Sequence, residues 1–293
     1  MDNKKKTGGF GLVQVWRVAW TQFFEWILNP KMIIFICLLL FVQNYVVDGM
    51  MQNAEKVGDQ VQIFEIFIAV INSSELCVAI PAVFLLLMGD FPKADGSTLL
   101  YVYRTGRYNW LLGQALAGVL KAASYMVAFL GCCILLSGAK VDTSNHWSDV
   151  TAKYIAMFPE DYMNPVARLI TGRQYNNFSP YEAAGYAFTL MFLFLVLLSM
   201  IKLVFFLYGK STAGIALGGL LIGSGWTLNM LDTKLKWLFP MAHVIEWQHC
   251  DEIFRTMEVS MGQSYIYFLV IIMVLLILGI MQVDQYNFGY GKQ

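Results

Sequence analysis

The sequence predicts an all-α integral membrane protein with six transmembrane helices, and three observations predict it. Of the 293 residues, 58% are apolar and only 14% are charged, about half the charged share of a soluble domain. The mean hydropathy is +0.56. Six apolar stretches approach or exceed the ~20 residues that cross roughly 30 Å of hydrocarbon. Basic residues crowd into the segments that an even number of crossings places on one side. Together these exclude a disordered chain, a collagen-like chain and a disulfide scaffold, and they leave too few polar residues to coat a cytosolic globule.

The first element is amphipathic. Leu12, Trp16, Trp20, Phe23 and Ile27 recur at helical spacing, with Gln14, Arg17, Thr21 and Glu25 on a neighbouring stripe. This predicts a helix lying in the membrane interface, its tryptophans at headgroup depth, ended by Asn29-Pro30. The alternative is a helix packed on the protein's own cytosolic face. The N-terminus is basic but no small-residue cleavage site follows, so no cleavable signal peptide is expected.

The spans follow at 32–47 (marginal at 16 residues), 62–88 (long and interrupted), 111–137, 183–207, 212–230 and 265–283. Segments 1–31, 89–110, 208–211 and 284–293, with span-end Lys121 and Lys202, hold twelve basic and five acidic residues. The opposite side holds eight basic and twelve acidic residues. The positive-inside bias therefore places both termini in the cytoplasm, with 32–283 as a single membrane domain. Cys37, Cys77, Cys132 and Cys133 fall within spans and only Cys250 outside, so no disulfide framework is expected.

Ionisable and polar groups inside spans point to function. Asn72, Ser73 and Glu75 interrupt the second span and are candidates for a polar translocation path, with Pro81 as a kink. Alternatively the cluster marks the outer interface. Lys121 and Lys202 are expected to snorkel to the cytoplasmic surface. In the fifth span Gly214/Gly218 and Gly219/Gly223 form G-x-x-x-G pairs, which admit a close helix within the subunit or at a dimer seam.

Two loops carry further candidates. In 89–110, Asp95 or Ser97 can start a short cytosolic helix and Gly106 can end it. Leu99, Leu100, Tyr101 and Tyr103 would give it an apolar docking surface flanked by Arg104 and Arg107; the alternative is a loop folded onto the bilayer. In the external segment 231–264, His243, Glu246 and His249 are spaced at i, i+3 and i+6. The third turns about 240° from the first, which fits no closed zinc spacing, so no metal is expected. Trp237 and Trp247 make the segment a candidate gate helix at the outer leaflet, or a plain extracellular cap. Gly209-Lys210-Ser211 matches the end of a phosphate-binding loop, but Val204 stands where that loop needs glycine, so the chain is not expected to bind ATP itself.

The run Arg104-Thr105-Gly106-Arg107-Tyr108-Asn109-Trp110-Leu111-Leu112-Gly113-Gln114, together with the order of elements, resembles the permease subunit of type 2 ATP-binding-cassette (ABC) exporters. The resemblance implies that 97–104 is a coupling helix seated on a cytosolic ATP-binding subunit. It also implies that the N-terminal helix is the family's connecting helix and that 231–264 forms external re-entrant helices. ATP and Mg²⁺ would sit on the partner subunit, with no cofactor on this chain. A second permease copy and membrane lipids would be the other partners, with no nucleic acid. The setting would be a bacterial cell membrane and the cargo amphipathic: a peptide, lipid or drug. The 45-residue external segment 138–182 is longer than the family pattern. Two alternatives stand beside it. One is an intramembrane enzyme using His146, His243, His249, Glu246 and Asp251 on the outer face. The other is an ion-coupled secondary transporter, which calls for paired broken helices.

Overall fold

The computed structural model describes residues 11–74, 76–93, 102–138, 141–231, 233–251 and 256–286. The chain is an all-α membrane protein. Among the described residues, five helices are long and apolar enough to cross a bilayer. These are α2 (Pro30–Val57), α5 (Arg107–Leu136), α6 (Pro180–Leu207), α7 (Ser211–Met230) and α8 (Met261–Val283). The others named here are α1 (Leu12–Ile27), α3 (Glu65–Asn72) and α4 (Ala79–Leu87).

α2 is longer than its apolar run. Its middle, Gln43–Val47, is a π-helical stretch, and Gln43 Nε2 donates to Asp48 Oδ1 at 2.8 Å, a five-residue spacing that suits the π register. Helix-forming residues continue it through 48–57. Gly58, at φ 77°, then closes it by donating its N–H to Ala54 O at 2.8 Å, the left-handed cap that glycine favours. Most of the polar segment 48–61 is therefore helix.

The second apolar stretch is two half-helices. α3 ends at Asn72, the chain leaves helical geometry at Ser73 (ψ 143°), and α4 begins at Ala79. The break precedes Pro81, which sits in α4's first turn where a missing N–H costs little. α6 and α8 begin earlier than their apolar runs, because Ser179 with Glu182 and Ser260 with Gln263 form capping boxes.

α6 is the central post. It packs against α3, α4, α5, α7 and α8, and 83% of its most apolar window is buried, against 17–33% in the other four. With no water to drive apolar surfaces together in lipid, close packing carries these contacts. Gly118 of α5 meets Ser199 of α6, where an added Cβ would lie 2.9 Å from the Ser199 Cβ.

α1 lies against α5, burying Val15, Val18, Ala19 and Trp26. Trp16 and Trp20 stay about half exposed, so the helix is packed on the protein along one stripe and offers its tryptophans outward along another.

Residues 141–177 form a small cap of short helical turns. Val61–Gln62 pairs in parallel with Val141–Asp142. Glu65 accepts hydrogen bonds from Ser148 N (2.8 Å) and Ser148 Oγ (2.7 Å). Lys56 at the end of α2 pairs with Asp161 at 2.6 Å. All five cysteines are free thiols.

Candidate functional site

One end of the helix assembly gathers the basic residues and a web of polar links. Lys31, at the start of α2, pairs with Asp90, just past α4, at 2.6 Å. That ammonium holds the Asp90 carboxyl below the usual carboxylate range. Lys93 approaches Glu25 of α1 at 3.6 Å. Lys202, near the end of α6, donates to Gly89 O at 2.8 Å. At the start of α5, Asn109 Nδ2 donates to Gln14 Oε1 of α1 at 2.8 Å, and Asn109 Oδ1 accepts from Gly11 N at 3.2 Å. Arg107 donates to the Asp284 carbonyl and to Val283 O at 3.4 Å, and the Tyr108 hydroxyl donates to the Asp284 carboxylate. The two flanks of segment 89–110 are thus tied to α1, α2, α6 and the end of α8.

Of the docking residues expected from sequence, Leu99, Leu100 and Tyr101 lie outside the described residues. Residues 102–105 are helical and end at Gly106, φ 84°. Tyr103 is 92% exposed and Arg104 is exposed. Arg107 instead engages α8. Lys121 and Lys202 are 3% and 0% exposed: one lines a cavity beside α1, and the other bonds the Gly89 carbonyl of the loop. Nothing local in the sequence marks the links that Lys31, Asp90 and Asn109 make, because their partners are far away in the chain.

A second polar cluster surrounds the break between α3 and α4. Ending a helix strands carbonyls that lipid cannot satisfy. Here two indoles satisfy them: Trp247 Nε1 donates to Asn72 O at 2.7 Å and Trp226 Nε1 donates to Ser74 O at 2.7 Å. Ser73 Oγ accepts from Leu76 N at 2.9 Å. Asn72 and Ser73 are buried, and both polar atoms of the Asn72 side chain are buried with no hydrogen-bond partner among the described residues. Glu75 lies outside the described residues.

The expected gate helix is several short pieces, Lys234–Leu238, Pro240–Val244 and Glu246–His249. Phe239 and Ile245 are extended between them, so the i, i+3, i+6 geometry of a single helix does not apply. Trp237 packs beside both histidine rings, and Tyr267 stacks on His243 with centroids 4.1 Å apart. Every ring nitrogen meets a polar atom. His243 Nε2–H donates to Trp237 O (2.9 Å) and Nδ1 accepts from Ser264 Oγ (2.7 Å). His249 Nδ1–H donates to Val259 O (2.8 Å), and Nε2 is 3.3 Å from His243 O. Burial lowers His243 to about 4 and also lowers His249. Burial raises Glu246 well above the carboxylate range, and its Oε1 accepts from Gln174 Nε2 at 2.5 Å. Burial thus disfavours the charged form at all three positions. Among the described residues no group of three His, Cys, Asp or Glu is placed to hold a metal ion. Gly225 of α7 sits under the lid, where a Cβ would lie 2.7 Å from Met241 Cβ.

The fifth-span glycines divide. Gly214 and Gly218 pack on Phe205 and Leu85, whereas Cβ atoms at Gly219 and Gly223 would meet nothing within 4 Å. Beside the 141–177 cap an apolar cavity of about 630 Å³ opens between α5, α6 and the start of α3, lined by Phe64, Val127, Thr143, Tyr181 and Phe188 among others.

No family model, no curated protein and no solved structure matches this chain.

Proposed function

We propose that the chain is the membrane-spanning permease subunit of an ABC exporter, moving an amphipathic cargo with ATP hydrolysed on a separate cytosolic subunit. The observation that carries this reading is the tethering of segment 89–110. Its flanks bond to α1, α2, α6 and α8, so a push on its exposed turn at Tyr103 and Arg104 is delivered to most of the membrane helices at once. A docking loop has to do this if force generated in another subunit is to reorient the spans.

In this arrangement α3 and α4 together make a sixth crossing. One end is bonded through Glu65 to the outer cap and the other through Asp90 to Lys31. The basic end is cytoplasmic, with both termini, by the positive-inside bias. The buried lid closes the outer side over the break and the polar Asn72. The outward-facing Gly219 and Gly223 meet a second permease copy.

The test is cross-linking of the full chain in native membranes, followed by mass spectrometry of the captured proteins. A stoichiometric protein bearing a complete phosphate-binding loop is expected. Tyr103→Ala with Arg104→Glu should cut its capture by ~10-fold or more, the scale of losing an interface anchor, without changing the thermal midpoint of the chain. Undiminished capture by the double variant, or a chain that emerges alone, sinks the reading.

A further inference from the structure

α6 is enclosed along most of its length, but its first turns come to the surface. Tyr181, Gly185 and Thr189, four residues apart and so on one helix face, are exposed and line the cavity of about 630 Å³. From Tyr181 to Thr189 this face runs ~12 Å along the helix. Val127 and Leu130 of α5 form the facing wall, and at the cap end Phe64 stands edge-on to Tyr181, with centroids 5.3 Å apart. Both helices are long and apolar enough to cross a bilayer. Val127 is 59% exposed, so the cavity opens sideways between two spans.

The lining offers little to a polar guest. Among the described residues no charged side chain lines it. The Tyr181 hydroxyl donates to Thr143 O, and Thr189 Oγ1 donates to Gly185 O at 2.8 Å while accepting from the Tyr265 hydroxyl at 2.7 Å. The protein does not fill the space either: a Cβ at Gly185 would meet nothing within 4 Å. Folded interiors keep few voids larger than a water, and apolar cavities stay dry. Bare walls forfeit dispersion contacts that hydrocarbon restores, and hydrocarbon is what reaches the opening of a cavity between two spans.

We propose that this cavity is a binding site for one acyl chain of a membrane phospholipid, which enters between α5 and α6 and packs on Gly185. Its volume falls within the roughly 300–1,000 Å³ of pockets that hold small, mainly apolar ligands. The polar groups gather at one end, where Asn145 Oδ1 accepts from Tyr181 N at 3.1 Å and Thr143, Asn145 and Glu182 are exposed. The headgroup therefore lies at the cap and the chain runs down toward Thr189. The inference requires only that α5 and α6 cross a bilayer, and it stands apart from the question of an ATP-binding partner.

The test uses the full chain in phosphatidylcholine nanodiscs doped with a phosphatidylcholine that carries a diazirine on one acyl chain. After photolysis, mass spectrometry of peptides locates the label. Residues 266–273 of α8, where Ile266, Val270 and Met273 are exposed, report ordinary surrounding lipid. In wild type, labelling at 127–130 and 184–189 is expected to exceed that reference several-fold. Gly185→Phe should cut the excess ~10-fold, because its ring takes the place of the chain in a space that holds one or the other. Val127→Phe, which fills the cavity from the facing wall, should lower it too, and it still reports should Gly185→Phe fail to fold. Gly219→Phe on α7 should leave it unchanged. Labelling no denser than on 266–273, or an excess that survives both cavity-filling variants, overturns the site. So does the absence of label from both walls while 266–273 is labelled, the outcome if a second copy of the chain covers the opening.

Discussion

Single atoms decide several contacts. At Gly113 the backbone of α5 runs so close to α1 that a Cβ would lie 2.6 Å from Val18 Cβ and 3.0 Å from Val15 O. The second neighbour is backbone and cannot yield as a side chain tip does. Gly113→Ala should therefore cost about 1–3 kcal/mol, the usual scale of overpacking, and lower the thermal midpoint in detergent. Gly131→Ala is the control, since a Cβ there meets nothing within 4 Å. Equal midpoints for the two variants would show that the α1–α5 approach is looser than described. Trp226 and Trp247 show a different residue-scale device. Each spends its one N–H on a carbonyl freed by the broken helix, so the break is held open by indoles from two other parts of the chain.

Among the elements, the lid over 240–249 has a pH window whose sign follows from burial. His243 and His249 are held neutral, with His243 lowered to about 4. Between the ordinary histidine value of ~6.5 and about 4, the opened lid binds protons that the closed lid refuses, so closure weakens as pH falls through that interval. Glu246 acts in the other sense. Its raised carboxyl makes its contribution full below the ordinary glutamate value and lost as pH climbs through the raised one. Hydrogen exchange across 240–249, corrected for intrinsic rate, should slow more between pH 4 and 6.5 in wild type than in His243→Gln, the difference isolating the histidine from Glu246. Identical profiles for the two chains would mean that His243 is solvated.

Much of the element order was legible in the sequence, because apolar runs and span-forming helices have the same physical cause. The helix starts were legible too, in Ser179-x-x-Glu182 and Ser260-x-x-Gln263, but hydropathy alone passes over a polar cap. The length of α2 was hidden because its outer third is amphipathic rather than apolar. The lid geometry was hidden for another reason: extended links at Phe239 and Ile245 abolish the single-helix register from which the His/Glu spacing was judged. The partners of Lys31, Asn109, Glu65 and Trp247 lie 59 to 175 residues away, and no local pattern announces them.

At the scale of the molecule, α6 is enclosed while α2, α7 and α8 present most of their surface outward. α7 carries the outward-facing Gly219 and Gly223. If a second copy docks there, Gly219→Cys or Gly223→Cys in a Cys37→Ala background should form a disulfide-linked dimer under mild oxidant in membranes. Gly214→Cys, turned inward onto Phe205, should not. Equal cross-linking at all three positions would reflect random collision rather than a seam.

The continuous α2 has a mechanical consequence. Its 28 residues extend about 42 Å, some 12 Å beyond the hydrocarbon. It is fastened near each tip by a lysine: Lys31 to the turn after α4, and Lys56 to Asp161 of the outer cap. A rod pinned at both tips behaves as a see-saw. Tilting it by about 10° about its middle moves each tip by about 4 Å, so a shift at the basic end is delivered to the cap at the other end as a displacement of equal size and opposite sense.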